Sequence, residues 1–144
     1  MNQQESARLV TEIDRERRRL RTMLRSRDAK LLARHPDNGD WSIVENVRHL
    51  LFAEQLHLGR FLPNGFEWSR MGLTGMTARK FADVGTKPTD DVEKVFQEWD
   101  DVHTRIRKAV KLAGGDVEKA LSRNHRHLGI HVRMIEKLLR KWDD

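Results

Sequence analysis

The residues with the clearest chemical potential in this sequence are two histidines placed four positions apart. His127 and His131 lie in a segment without proline, and their spacing puts both rings on one face of a helix, one turn apart. Two imidazoles in this arrangement can ligate a single divalent cation. The pair centres on the apolar stripe of its helix, toward Leu138, where ring nitrogens need partners. The alternative interpretation is two buried histidines that hydrogen-bond to carbonyls or carboxylates.

The other five histidines differ in how well they fit such a site. His49 is the natural third ligand, because it lies on an apolar side of another predicted helix. His57 lies between the two apolar sides of that helix, so its position fits either a core residue or a metal ligand. His103 falls within the apolar stripe of a third helix, where we expect a hydrogen-bonded core residue. The alternative for His103 is an additional metal ligand or a proton-transfer group near the ion. By position, His125 faces solvent and His35 lies in a turn before a proline.

Three neutral histidines would leave a +2 ion with uncompensated charge and an open coordination position, which is typical of catalytic rather than structural sites. In favourable zinc sites the pKa of a bound water falls from 15.7 to about 7. A thiol bound to such an ion loses its proton. The pattern therefore indicates hydrolysis or thiol activation, in a pocket that we expect to be walled by Phe52, Leu56, Met134 and Trp99.

Two helices are predicted in the first half of the chain. The first spans residues 4–34, a stretch without proline or glycine in which leucine and isoleucine recur at steps of four and seven. Turn residues then interrupt the pattern. Ser42 and Glu45 have the spacing of a capping box, so we expect a second helix to begin there and to run to about residue 61.

The second half contains a long connection and two more predicted helices. Glycines and prolines break the pattern between residues 63 and 88, which predicts a crossover with one short helix near 77–82. A third helix is expected to span residues 90–113, and a short turn at 117–121 precedes a last helix at 124–142. We therefore predict one all-α domain over residues 1–144, a four-helix bundle with a long crossover connection between helices 2 and 3.

The composition excludes several classes of protein and site. Cysteine is absent, which excludes disulfides, thiolate zinc sites and a cysteine nucleophile. The N-terminus is polar where a signal peptide needs an apolar stretch. No apolar run approaches the ~18–20 residues that cross a bilayer. We expect a soluble cytoplasmic protein with no membrane partner.

The chain is basic, with 28 Lys+Arg against 22 Asp+Glu and a formal net charge of +6. Much of the excess lies between Arg15 and Arg34, on the first predicted helix. A solvated helix face and a surface for an anionic partner are the two interpretations. Since no helix-turn-helix, zinc-finger or RNA-recognition signature is present, we expect no nucleic-acid partner.

Two short motifs together resemble a known family. Residues 41–50 contain Trp-Ser-x-x-Glu-x-x-x-His-Leu, which is similar to a segment of DinB-like (YfiT-like) proteins, and His127-x3-His131 is similar to their second element. The order of the motifs, their separation and the four helices match along most of the chain. The resemblance implies a four-helix bundle that binds a divalent metal, often zinc or nickel, through His49, His127 and His131. It also implies homodimers and chemistry that depends on a small thiol, such as transfer or isomerisation, with some hydrolytic members.

The sequence departs from the family after the last candidate ligand. Many relatives continue with His-Arg-Gly-Gln, whereas Val132, Arg133 and Met134 follow His131 here, and the connection before the final helix is short. We therefore predict a metal-dependent hydrolase or small-thiol-dependent transferase that acts on an unidentified small molecule. The alternatives are a non-catalytic helical interaction protein with structural or vestigial histidines, and a basic bundle that binds anions or nucleic acid.

Overall fold

The computed structural model describes residues 3–75, 81–114 and 116–143, and these ranges contain helices and no strand. The elements are α1 (Gln3–Leu24), α2 (Ala29–Ala33), α3 (Ile43–Leu58), α4 (Val92–Leu112) and α5 (Val117–Trp142), with a 3₁₀ turn (Gly59–Phe61) directly after α3. The all-α prediction is confirmed. Within the described ranges no helix has both the length and the apolar composition needed to cross a bilayer.

The four long helices pack in a ring. α1 lies against α4 and α5, and α3 lies against the same two helices. Their apolar stripes meet in one core, in which Ile13, Leu51, Trp99 and Ile135 are each at most 1% exposed. Burying a side chain of this kind stabilises the fold by roughly 1.5–3 kcal/mol. This pairing is compatible with the predicted four-helix bundle, and the long connection predicted between its second and third helices joins α3 to α4, which pack against each other.

The first predicted helix is divided in two. α1 ends at Leu24, and α2 begins after Asp28, whose carboxylate accepts a hydrogen bond from the Lys30 backbone N–H at 2.9 Å. An aspartate that can cap a new helix competes with continuation of the old one. α2 then turns toward α3 and buries Leu32. The periodicity of residues 4–34 was therefore right about the buried face of α1 and wrong about the continuity of the helix, since α2 buries Leu32 and not Leu31.

Two other predicted boundaries have different outcomes. α5 is continuous, so the turn expected at 117–121 is the first part of the final helix, with Val117 and Leu121 buried. The short helix expected near 77–82 falls mainly on residues 76–80, which lie outside the described ranges.

α3 begins with the predicted capping box. The Ser42 hydroxyl accepts from the Glu45 N–H at 3.1 Å, and the Glu45 carboxylate accepts from the Ser42 N–H at 2.9 Å. This reciprocal pair satisfies two backbone donors that a helix start leaves free. The cap fixes where α3 begins, and so fixes the direction in which each later side chain of α3 points.

The loop at residues 62–75 is tied to α3 by a buried arginine. Arg48 is 7% exposed and donates from Nε to the Met71 carbonyl at 2.8 Å and from Nη2 to the Gly72 carbonyl at 3.2 Å. The Leu73 N–H donates in turn to the Arg48 carbonyl at 3.2 Å. These three bonds hold the loop backbone next to the helix face that carries His49.

The basic face of α1 is neutralised in large part by ion pairs. Arg17 donates to Asp100 at 2.8 Å, Arg21 donates to the same carboxylate at 2.6 Å, and Arg19 donates to Glu136 at 3.2 Å. Pairs that are partly exposed contribute about 0–1 kcal/mol each. Their positions show that this face of α1 contacts α4 and α5.

Candidate metal centre

Three histidines from two helices converge at one side of the bundle. His49 projects from α3, and His127 and His131 project from α5. One ring nitrogen of each lies within 4.8 Å of the other two. The ring centroids are 5.1 Å apart for His49 and His127, 5.0 Å for His49 and His131, and 4.5 Å for His127 and His131. The structure therefore brings together the three residues that the sequence predicts as metal ligands.

Two of the three rings are oriented by hydrogen bonds at Nδ1. His49 Nδ1–H donates to the Leu73 carbonyl at 2.8 Å, and His131 Nδ1–H donates to Asn46 Oδ1 at 2.8 Å. Because both partners are acceptors, each Nδ1 carries the proton and each Nε2 keeps its lone pair. The amide of Asn46 is itself fixed, since its Nδ2 donates to the Ser42 carbonyl at 2.9 Å. Such outer partners set the tautomer and orientation of metal-binding histidines.

The separation of the ligand atoms fits a single ion. His49 Nε2 lies 3.3 Å from His127 Nε2. Two nitrogens bound to a tetrahedral zinc at its usual bond length are about 3.3–3.4 Å apart. His127 Nδ1, on the other side of that ring, is buried and has no hydrogen-bond partner among the described residues. The donor set and the separation of the nitrogens are together compatible with a divalent metal.

The cluster is neutral near pH 7. Burial, together with the neighbouring His131 and His49, lowers the pKa of His127 to about 4. Burial and the proximity of His49 lower the pKa of His131 to about 4. Burial also lowers the pKa of His49, against the opposing effect of its hydrogen bond to the Leu73 carbonyl. Neutral imidazole is the form that binds a metal, so protons do not compete for these nitrogens near pH 7.

Trp41 was not predicted to line the site. Its ring centroid lies 4.7 Å from that of His49 and 6.4 Å from that of His131. It lines a cavity of about 660 Å³ together with His131, Met134 and Asn46. The position of Trp41 next to the capping serine was visible in the sequence, but a residue before a helix has no periodicity that assigns it to a face.

The predicted pocket walls are correct in part. The ring centroid of Phe52 lies 5.9 Å from that of His49, and Met134 lines the cavity with His131. Leu56 is 43% exposed and lines a different cavity. Trp99 is in the core, where it stacks on Phe96 and donates to Glu54 at 3.2 Å. Assigning Trp99 to the pocket was therefore wrong, because its helix turns that face toward the centre of the bundle.

His57 lies beside the cluster and outside the group of three. Its ring packs edge-on against His127 with centroids 5.5 Å apart, and its Nδ1–H donates to Asn124 Oδ1 at 3.1 Å. Burial lowers the pKa of His57, although the bond to Asn124 opposes that change. His57 is therefore a neutral and oriented imidazole next to the candidate metal centre.

His103 belongs to a separate cluster of buried charges. Its Nδ1 lies 2.7 Å from a carboxylate oxygen of Glu54, which is 0% exposed, and its Nε2 contacts Asp14. Burial lowers the pKa of His103, but the attraction of Glu54 outweighs it and the pKa is raised. Both ring nitrogens face carboxylates, so neither is free for a metal. The position is that of the hydrogen-bonded core histidine which the sequence favoured.

Comparison with known proteins identifies one family. The sequence model of the DinB superfamily matches residues 12–135, a range that includes all three clustered histidines. No curated protein and no solved structure matches the chain. The family resemblance predicted from the two motifs is confirmed.

Proposed function

This chain belongs to the DinB superfamily, and from that premise we propose that it is a divalent-metal-dependent enzyme whose ion is held by His49, His127 and His131. The observation that carries the proposal is the convergence of three imidazole nitrogens within 4.8 Å of one another. Zinc and nickel are the ions we propose, since both accept imidazole ligands. When bound, the ion would supply Lewis-acid chemistry that acidifies a coordinated water or thiol.

The residues around the histidines support binding of a small molecule. The Leu73 carbonyl and Asn46 hold two of the rings in place, which limits reorganisation during a reaction. The rings of Trp41 and Phe52 shield His49 from water on its apolar sides. The cavity of about 660 Å³ beside His131 is large enough for a small substrate.

Between the two reaction types, we favour small-thiol-dependent transfer over hydrolysis. Among the described residues, no carboxylate hydrogen-bonds to any of the three histidines, and Glu45 is engaged in the helix cap. Zinc peptidases pair their ion with a carboxylate general base. A thiol loses its proton on coordination and needs no separate base.

Metal analysis of untagged protein tests the proposal. We expect stoichiometric zinc or nickel in the parent, and none in His127→Ala or His131→Ala. His125→Ala is the matched control, because it removes an imidazole from the same helix outside the cluster and should retain metal. Equal metal in the parent and the His127→Ala variant would overturn the site. Failure of the parent to take up zinc or nickel would do the same.

Spectroscopy of cobalt-loaded protein separates the two chemistries. A thiol that reaches the ion should add a thiolate-to-cobalt charge-transfer band that is missing from the His127→Ala variant. If no small thiol produces this band while the cobalt spectrum itself is normal, thiol-dependent transfer is rejected and hydrolysis becomes the favoured reaction.

A further inference from the structure

A second cavity of about 510 Å³ adjoins the candidate metal centre at His57. Its polar walls are formed by His57 in the last turn of α3, by Arg60 in the 3₁₀ turn that follows, by Asp116 at the N-cap of α5, and by Lys119 and Arg123 on the first turns of α5. His57 links the two sites, because its ring lines this cavity and also packs 5.5 Å from the centroid of His127. None of the three candidate metal ligands lines this cavity, so metal binding does not explain it.

The walls carry uncompensated positive charge. Arg60, Lys119 and Arg123 supply three positive charges and Asp116 supplies one negative, so these four side chains together carry a charge of +2. None of the three cations forms an ion pair within the described part of the chain, in contrast to the arginines of α1. The N-terminus of α5 adds the positive end of its helix dipole. The local field therefore favours an anion.

The ring of His57 is held in one orientation by a buried partner, which is unusual for a histidine at the surface. Asn124, only 4% exposed, accepts a hydrogen bond from His57 Nδ1–H through its Oδ1 atom and so fixes the ring. The Nε2 atom of His57 has no hydrogen-bond partner among the described residues and keeps a lone pair. A buried amide that orients a half-buried ring beside a cavity is typical of a binding site.

We propose that this cavity binds the carboxylate or phosphate group of the small molecule whose other end reaches the three histidines. The inference rests on the proposed function and narrows its substrate or thiol cofactor to an anionic compound. Arg123 and Lys119 precede His127 by one and two turns of α5, about 6 and 12 Å along the helix axis. The oxyanion would thus lie about 6–12 Å along the helix axis from the His127 end of the molecule, with Nε2 of His57 accepting a hydrogen bond from a hydroxyl or amine between the two ends.

Titration of the metal-free protein, residues 1–144, with inorganic phosphate and with acetate tests the cavity directly. At constant ionic strength, the double variant Lys119→Gln/Arg123→Gln should raise the dissociation constant about tenfold or more, because each lost contact is a charge-assisted hydrogen bond. Arg126→Gln is the matched control on the same helix and should bind as the parent does. Tighter binding of phosphate than of acetate identifies a phosphate-bearing compound, and the reverse identifies a carboxylate. Absence of saturable binding, or equal loss in the control, overturns the proposal.

Nuclear relaxation in cobalt-loaded protein tests the link between the two sites. The ³¹P resonance of bound phosphate should be broadened by the paramagnetic ion in the parent, and the double variant should abolish this at the same phosphate concentration. Broadening that persists in the double variant would place the anion on the metal and overturn the proposal. The two proposals fail separately, because the titration needs no metal and the metal analysis needs no anion.

Discussion

Replacing Asn46 by alanine tests whether the hydrogen bond behind a ligand determines metal affinity. Asn46 Oδ1 accepts a hydrogen bond from His131 Nδ1–H at 2.8 Å, and among the described residues that N–H has no other acceptor. Removing such a partner typically lowers metal affinity 10–100-fold, or about 1.4–2.7 kcal/mol. The variant also loses the bond from Asn46 to the Ser42 carbonyl, which contributes about 0.5–1.5 kcal/mol to folding.

Asn124→Ala is a closely matched control for this prediction. Asn46 and Asn124 are 1% and 4% exposed, and each accepts a hydrogen bond from a histidine Nδ1. They differ in which histidine they hold, because His57 lies outside the group of three. Asn46→Ala should lose about 0.5–1.5 kcal/mol more folding stability than Asn124→Ala, because Asn46 also donates to the Ser42 carbonyl, and only Asn46→Ala should lose metal affinity.

Competition with a chromophoric chelator measures the affinity of each variant for zinc, and urea unfolding measures the stability. A loss of tenfold or more in Asn46→Ala with less than about threefold in Asn124→Ala supports the reasoning. Equal losses in both variants would mean that affinity follows general packing of the bundle. No loss in Asn46→Ala would show that His131 does not bind the ion through the nitrogen opposite Asn46.

The same geometry predicts the effects of three other perturbations. His103→Ala should cost about 3–5 kcal/mol in urea unfolding, because the fully buried Glu54 carboxylate loses its imidazole partner and, in the described part of the chain, keeps only the Trp99 N–H as a hydrogen-bond donor; a loss below about 1 kcal/mol would contradict that pairing. With the pKa values of His127 and His131 lowered to about 4, zinc affinity should hold from pH 7 to about 5 and fall as the pH approaches 4. Because the unfolded chain protonates these rings near pH 6.5, the unfolding free energy of metal-free parent should fall more steeply below that pH than that of a variant without them. Arg48→Ala should free the loop at residues 62–75, speed its proteolysis and lower zinc affinity about tenfold by displacing the carbonyl behind His49; unchanged proteolysis would contradict the role of this arginine.

The sequence predicts the four long helices because their periodicity is strong and their caps are local. The capping box of Ser42 and Glu45 involves residues three apart, so its pattern is complete in the sequence. The division between α1 and α2 was missed because Asp28 competes with an apolar stripe that continues across it. Periodicity reports which face is buried, and it does not report whether the backbone runs straight between buried residues.

The three clustered histidines could be predicted from the sequence, because helical faces determine where they point. The hydrogen-bond partners that orient their rings could not. The directions of His49, His127 and His131 follow from helix geometry once the helices are placed. The Leu73 carbonyl has no side-chain signature, and it reaches His49 only because Arg48 ties the loop to α3. The two carboxylates beside His103 belong to Glu54 and Asp14, which are 49 and 89 residues away in the sequence. Their pairing with His103 therefore depends on how the helices pack together.

One consequence of the position of α3 concerns changes of chain length. This helix presents His49 to the candidate metal centre and Glu54 to the buried charge cluster, five residues later and on another face. Inserting or deleting a single residue between them would rotate one face relative to the other by about 100°. Either the histidine or the carboxylate would then lose its partners. Natural variation within this segment should therefore consist of substitutions, and additions or losses should be confined to the loops at either end of the helix.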